Sequence, residues 1–144
     1  MDPVPIYTPS DWLHDATRPP AAPFGSAGRF AVPLHGGRFD RHFHDTAELW
    51  FVAEGRAKIL VDGAERYVQS GDIVLTLAGD EHDFIEVYET VRGFFAESPV
   101  PPGGRGGHRH TDPGLAAGHD VPTRPLPGDF PARHGDGAAR KGTA

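Results

Sequence analysis

The stretch His42-Phe43-His44-Asp45-Thr46-Ala47-Glu48-Leu49-Trp50 decides the fold. In an extended strand, side chains two residues apart leave on the same side. His42, His44 and Glu48 share that parity, so one strand, or a strand with a short bend, can aim all three inward. Imidazole and carboxylate together suit a divalent first-row metal. A later histidine, His82, would complete a set of three histidines and one carboxylate if its strand lies alongside.

On either side of this stretch, from Arg29 to Glu97, short apolar runs alternate with turn residues. Arg29 to Leu34, Glu48 to Ala53, Ala57 to Val61, Glu65 to Gln69, Asp72 to Leu75, His82 to Tyr88 and Val91 to Glu97 all have strand character. Asp62-Gly63, between Lys58-Ile59-Leu60-Val61 and Glu65-Arg66-Tyr67-Val68, is a hairpin signal. Glu54-Gly55, Ser70-Gly71 and Ala78-Gly79 are further turn points. Many short strands with no long helix between them predict an all-β sandwich or barrel over residues 29–98.

The flanks differ in composition. Residues 1–28 are rich in Pro, Ala and Gly and form an N-terminal arm, mostly coil. A short helix is expected from Asp11-Trp12-Leu13, with Ser10 as N-cap after Pro9, and Trp12 and Leu13 are expected to pack on the body. Residues 99–144 hold 10 Gly and 8 Pro. Such a segment has little apolar surface with which to offset its ordering entropy. It predicts an extended arm that becomes a disordered C-terminal tail, with Leu126 and Phe130 as local docking points. Its Gly107-His108-Arg109-His110 is a second H-x-H. Without a strand to fix the ligands, adventitious metal binding or disorder outweighs a place over the barrel mouth.

The 144 residues allow one domain and one core. There is no cysteine, so any metal is held by nitrogen and oxygen ligands. The net charge is -6, and the first 98 residues carry 8 Lys+Arg against 16 Asp+Glu. An acidic body repels phosphate backbones, and no helix-turn-helix accompanies it, so nucleic acid is not expected as a partner. Met1 to Pro9 has no secretory-signal pattern, and no apolar run is long enough to span a bilayer. A cytoplasmic, membrane-free protein is expected.

Two motifs carry a family resemblance. Gly36-x5-His42-x-His44-x3-Glu48-x6-Gly55 resembles the first cupin motif at every position. Gly71-x5-Leu77-Ala78-Gly79-x2-His82-x3-Glu86 is similar to the second, with Leu77 where proline is usual and Glu86 where asparagine is usual. The 15 residues from Arg56 to Ser70 resemble the short inter-motif segment of compact bacterial cupins. The resemblance implies an all-β jelly-roll barrel with one divalent metal, Fe(II), Mn(II), Ni(II), Zn(II) or Co(II), held inside by His42, His44, Glu48 and His82. A lone H-x-H is ordinarily surface or structural; Glu48 and His82 at family spacing reverse that reading.

Strand parity then outlines a pocket. Trp50 and Val52 face inward with Glu48; Phe84, Glu86 and Tyr88 face inward with His82; Arg38 and Asp40 share the parity of His42. The expected substrate pocket is Trp50, Phe84 and Arg38 beside the metal, suited to a small, partly polar organic ligand. Glu86 is a candidate general acid or base, or else a rim residue, solvated or paired with Arg92. Tyr88 is a candidate catalytic acid, or else a packed aromatic with its hydroxyl at the rim. Trp50, Phe51 and Phe43 suit core or interface positions. Asp80, Glu81 and Asp83 flank His82 and are expected as a solvated rim.

Three histidines and a glutamate leave about two open positions on an octahedral ion. The resemblance implies an enzyme of small-molecule metabolism, with dioxygenase-type or metal-assisted isomerase or lyase chemistry; the alternative is a non-catalytic sugar- or metabolite-binding module with a structural metal. Phe30, Val32 and Leu34 on a first, edge strand and Phe94-Phe95 on the last predict a homodimer.

Overall fold

Two long bent strands, β3 (Glu48–Val61) and β6 (His82–Glu97), pair antiparallel along their whole length and form the spine of the barrel. The computed structural model describes residues 3–132. Around the spine lie β1 (Ser26–Val32), β4 (Ala64–Gln69) and β5 (Ile73–Thr76). The sheet order is β1-β6-β3-β4, with β5 pairing the first half of β3. A second, two-stranded sheet joins β2 (Arg38–Phe39) to β7 (His119–Asp120). This is the expected all-β, cupin-type jelly-roll architecture, and no α-helix occurs among the described residues. No helix there is long and apolar enough to cross a membrane.

The sequence divides β3 and β6 into two strands each, whereas the chain runs through both breaks. Glu54-Gly55 is a bend inside β3, and Gly55 has φ +97°. A Cβ there would lie 2.2 Å from the Thr90 carbonyl oxygen, so only glycine lets the two strands cross this closely. Asp62-Gly63 makes the expected hairpin: both residues have positive φ, and Val61 pairs with Ala64. Positive φ at both central positions is the type I′ geometry that matches strand twist.

The barrel closes on Val32, Trp50, Val52, Ala57, Ile59, Val68, Phe84, Val87 and Val91. Phe30 and Val32 on β1, and Leu34 just beyond it, point into or pack against this core rather than forming an apolar edge. β1 is indeed an edge, and the N-terminal arm covers part of it through paired backbone hydrogen bonds between Leu13 and Ala27. The arm contains no helix at Asp11-Trp12-Leu13; Thr8 and Asp11 close a tight turn by reciprocal hydrogen bonds instead. Trp12 does reach the body, with its ring 6.1 Å from that of Phe95.

Residues 99–132 form an extended arm held to the barrel at several points. Arg105 forks onto Asp45 at 2.9 and 3.2 Å. Arg109 pairs with Phe43, a 3₁₀ turn spans Pro113–Ala117, and Val121 joins the core at 2% exposure. Phe130 packs on Tyr67 at 4.7 Å. Backbone pairing and ion pairs to the barrel hold the segment, and composition shows neither. The last twelve residues of the expected tail lie outside the described residues.

Candidate metal centre

The two D-x-H triplets, Asp40-Arg41-His42 and Asp80-Glu81-His82, build the centre by one local device. In each, the histidine Nδ1 bonds the carbonyl of the aspartate two residues before it, at 2.9 Å for His82. That carbonyl only accepts, so Nδ1 carries the proton and Nε2 presents its lone pair. His42 and His82 then exchange backbone hydrogen bonds with each other. The two Nε2 atoms face each other at 3.1 Å inside the barrel. Two lone pairs cannot hydrogen-bond to one another, and a shared cation removes the conflict.

His44 and Glu48 complete the group. His44 is held by its carbonyl, which accepts from Gly79 N–H at 2.8 Å. Glu48 opens β3, and Trp50 Nε1 donates to its Oε1 at 2.7 Å, fixing the carboxylate. Glu48 lies 3.5 Å from His44 Nε2 and 3.6 Å from His82 Nε2, longer than hydrogen bonds but suited to ligands around one ion. Both His44 ring nitrogens are buried without a hydrogen-bond partner, which a metal would satisfy. All four side chains are at least nine-tenths buried. The donor set therefore fits a divalent first-row ion.

Electrostatics favours the protonation states that ligation needs at His42, His82 and Glu48, but not at His44. Burial, with His108 and His82 alongside, pushes the His42 imidazole down to about 3. Burial also lowers His82. Both are neutral ligands near pH 7. Burial raises the Glu48 carboxyl, but His44 and His82 outweigh it and hold the group below its usual range, so it is ionised. Burial lowers His44, yet Glu48 and Glu97 lift it above its usual value; a cation at the centre would take over that pairing.

A cavity of about 140 Å³ opens beside the group. Phe30, Phe39, Trp50 and Phe95 form its apolar walls, and His42, Glu48, Glu97 and His108 its polar ones. Trp50 therefore lines the pocket as expected, whereas Phe84, fully buried and stacked on Trp50 at 5.3 Å, backs the wall. Arg38 is not in the pocket: it points outward and pairs with Asp120 at 2.7 Å. Glu86 and Tyr88 are also displaced from their expected places. Register shifts leave Ile85 and Tyr88 as extra residues on β6, so Val87 rather than Glu86 follows Phe84 into the core. Tyr88 donates to Glu86 at 2.7 Å on the outer face, among Tyr67 and Phe130. Glu86 is thus paired, with Tyr88 and not with Arg92, which meets Glu54. Asp83 is no solvated rim residue: it is buried and bonded by His119 at 2.6 Å.

Two site residues escaped the sequence. Glu97 pairs in register directly with Glu48, accepts from Thr46 at 2.9 Å and lies 3.8 Å from His44 Nδ1. Burial raises its carboxyl above the ordinary range. Its signal was the length of β6, hidden by the break placed at Glu89-Thr90. His108 stacks on His42, centroids 3.6 Å apart, so the second H-x-H, for which a place over the barrel mouth was the lesser expectation, lies against the centre.

The fold has counterparts among known proteins. Residues 29–90 match the model of the AraC-like ligand-binding domain. Among solved structures, the chain is similar to an uncharacterized conserved protein with a double-stranded beta-helix domain from Klebsiella pneumoniae, at TM-score 0.54 and 17% identity, covering 74% of this chain and 96% of that one. A Cupin 2 conserved barrel domain protein from Salinispora arenicola gives TM-score 0.50 and 24% identity, covering 68% and 88%. These likenesses establish the fold. An uncharacterized protein of Sinorhizobium fredii, y4oW, is 36% identical over 70 residues, or 49% of this chain and 32% of its own. The chain thus spans about a third of the length of that curated relative. The motifs, the barrel and these matches agree on a cupin-type, double-stranded β-helix fold.

Proposed function

We propose that this chain is a metal-dependent cupin enzyme acting on a small organic metabolite in the barrel cavity. The observation that carries the reading is the gathering of His44, Glu48 and His82 donor atoms within 4.8 Å of one another, with His42 Nε2 3.1 Å from that of His82 and both lone pairs turned toward each other. Bound there, a divalent ion supplies Lewis acidity toward a substrate oxygen or, if redox-active, chemistry with dioxygen.

The chain's own residues do the rest. Phe30, Phe39, Trp50 and Phe95 exclude water and clasp a compact apolar body. The cavity is small beside typical ligand pockets of roughly 300–1,000 Å³, which selects a compact substrate. Glu97 takes the role first assigned to Glu86: its carboxyl faces the cavity and can hold or return a proton at Oε2, the atom bonded by Thr46. This favours the isomerase or lyase member of the pair of chemistries over the dioxygenase. Glu86 and Tyr88 take no part.

A second reading, a binding module with a structural metal, draws on the match to the AraC-like ligand-binding domain. Anaerobic turnover of compact hydroxy, enol or keto acids by metal-loaded protein separates the readings. Turnover without dioxygen, lost in Glu97→Gln, supports proton-transfer chemistry. Dioxygen uptake above a His42→Ala control supports the oxygenase. Ligand binding without turnover supports the module. The reading carries a cytoplasmic location, which cell fractionation tests.

A further inference from the structure

The barrel and the C-terminal arm each present an H-x-H, and the two lie side by side. Phe43 N–H donates to the Arg109 carbonyl at 2.9 Å, and Arg109 N–H returns to Phe43 at 2.8 Å. Residues flanking such a pair share the opposite face, so His42, His44, His108 and His110 gather there. His42 and His44 serve the centre described above. His108 and His110 instead converge on Asp40: its Oδ2 lies 2.8 Å from His108 Nδ1 and 2.8 Å from His110 Nε2.

We propose that Asp40, His108 and His110 form a second divalent-metal site, distinct from the barrel centre. One donor atom from each of the three residues lies within 4.8 Å of the others. Adjacent ligands about 2.0–2.1 Å from an ion stand roughly 3 Å apart, close to the 2.8 Å between Asp40 Oδ2 and each imidazole nitrogen. Two imidazoles and one carboxylate make a borderline set that takes Zn(II), Co(II) or Ni(II) and leaves positions open. Asp40 and His110 are partly buried, while the His108 side chain is half exposed, so an ion enters from solvent. Neutral imidazoles supply both nitrogens once each proton moves to the other ring nitrogen, and Asp40 gives up their N–H groups for the cation.

The ligands come from segments 68 and 70 residues apart, so an ion here ties the arm to the barrel. Asp40 touches both centres, through its carbonyl to His42 and its carboxylate to the arm. His108, stacked on His42, is also a wall of the cavity. The second ion therefore sets how firmly the cavity is walled on that side.

The test is equilibrium dialysis of the whole, chelator-stripped protein against Zn(II) or Co(II), with elemental analysis. Wild type is expected to bind two equivalents, and His110→Asn and His82→Ala one each. Hydrogen exchange across residues 105–111 gives a second readout: Zn(II) is expected to slow it in His82→Ala and not in His82→Ala/His110→Asn. One equivalent that is lost in His82→Ala and kept in His110→Asn overturns the proposal, as do two equivalents kept in His110→Asn or no binding at all. One equivalent lost in His110→Asn and kept in His82→Ala upholds this site and removes the barrel centre instead. If His110→Asn fails to fold, exchange in His82→Ala alone decides: Zn(II) that leaves 105–111 unprotected refutes the site.

Discussion

His42 and His82 hold their Nε2 atoms 3.1 Å apart, each ring turned by a hydrogen bond to the carbonyl of its own D-x-H aspartate. The pair is preorganised: neither ring must rotate to ligate, so less ordering is needed at the moment an ion binds. Glu48 is prepared in the same way by Trp50. Trp50→Phe keeps an aromatic ring while removing the indole N–H together with the volume of the five-membered ring. The expected result is metal affinity about 10- to 100-fold weaker with the fold intact, measured by competition with a chromophoric chelator and by circular dichroism.

That aromatic and carboxylate partnership was legible only in part. The H-x-H-x3-E spacing and His82 pointed to the four candidate donors, although a bend at Asp45-Thr46 separates His42 and His44 from β3, so strand parity alone does not relate them to Glu48. On β6 the bulges fall just after Phe84, so His82 and Phe84 point as expected while Glu86 and Tyr88 do not. No residue type marks Ile85 as extra; β3 and β6 set it between them. Glu97 was missed for a related reason, since its alignment with Glu48 exists only if β6 runs unbroken through Thr90. Arg38 shared the right parity but lies on β2, where Asp120 of the arm captures it. The course of the arm over the barrel was hidden because most of its anchors are ion pairs and backbone bonds, with only Val121 and Phe130 as apolar contacts.

Gly55 is the tightest steric constraint of the spine. Its φ of +97° and the Thr90 carbonyl at 2.2 Å from a would-be Cβ leave no room for a side chain. Gly55→Ala is expected to destabilise by about 2 kcal/mol or more, read as a lower denaturant midpoint with an unchanged slope.

The His119–Asp83 contact predicts a pH dependence with a definite sign. Burial lowers the His119 imidazole, but the Asp120 carbonyl and the Asp83 carboxylate together hold it above its usual value. A raised folded-state value means protonation favours the folded state. Its contribution is fully present below about pH 6.5, the ordinary histidine value, and is lost as pH rises through the higher folded value. His119→Gln should flatten stability across that interval, as measured by thermal melts from pH 5 to 9.

The outer face of the main sheet carries Phe94, Phe51 and Ile73 in one cross-strand row, with Leu75 beside it, all exposed. Such a row is what a subunit contact covers. A homodimer is expected by size-exclusion with light scattering, and Phe51→Ser/Phe94→Ser should shift it to monomer without loss of metal. A monomeric wild type at micromolar concentration would refute the contact.

Crystals grown with Mn(II) or Zn(II) and measured at the metal edge put the four-ligand centre to the proof. An anomalous peak inside the barrel is expected about 2.0–2.3 Å from His42 Nε2, His44, Glu48 and His82 Nε2. Density that leaves this point empty while the metal sits elsewhere would contradict it.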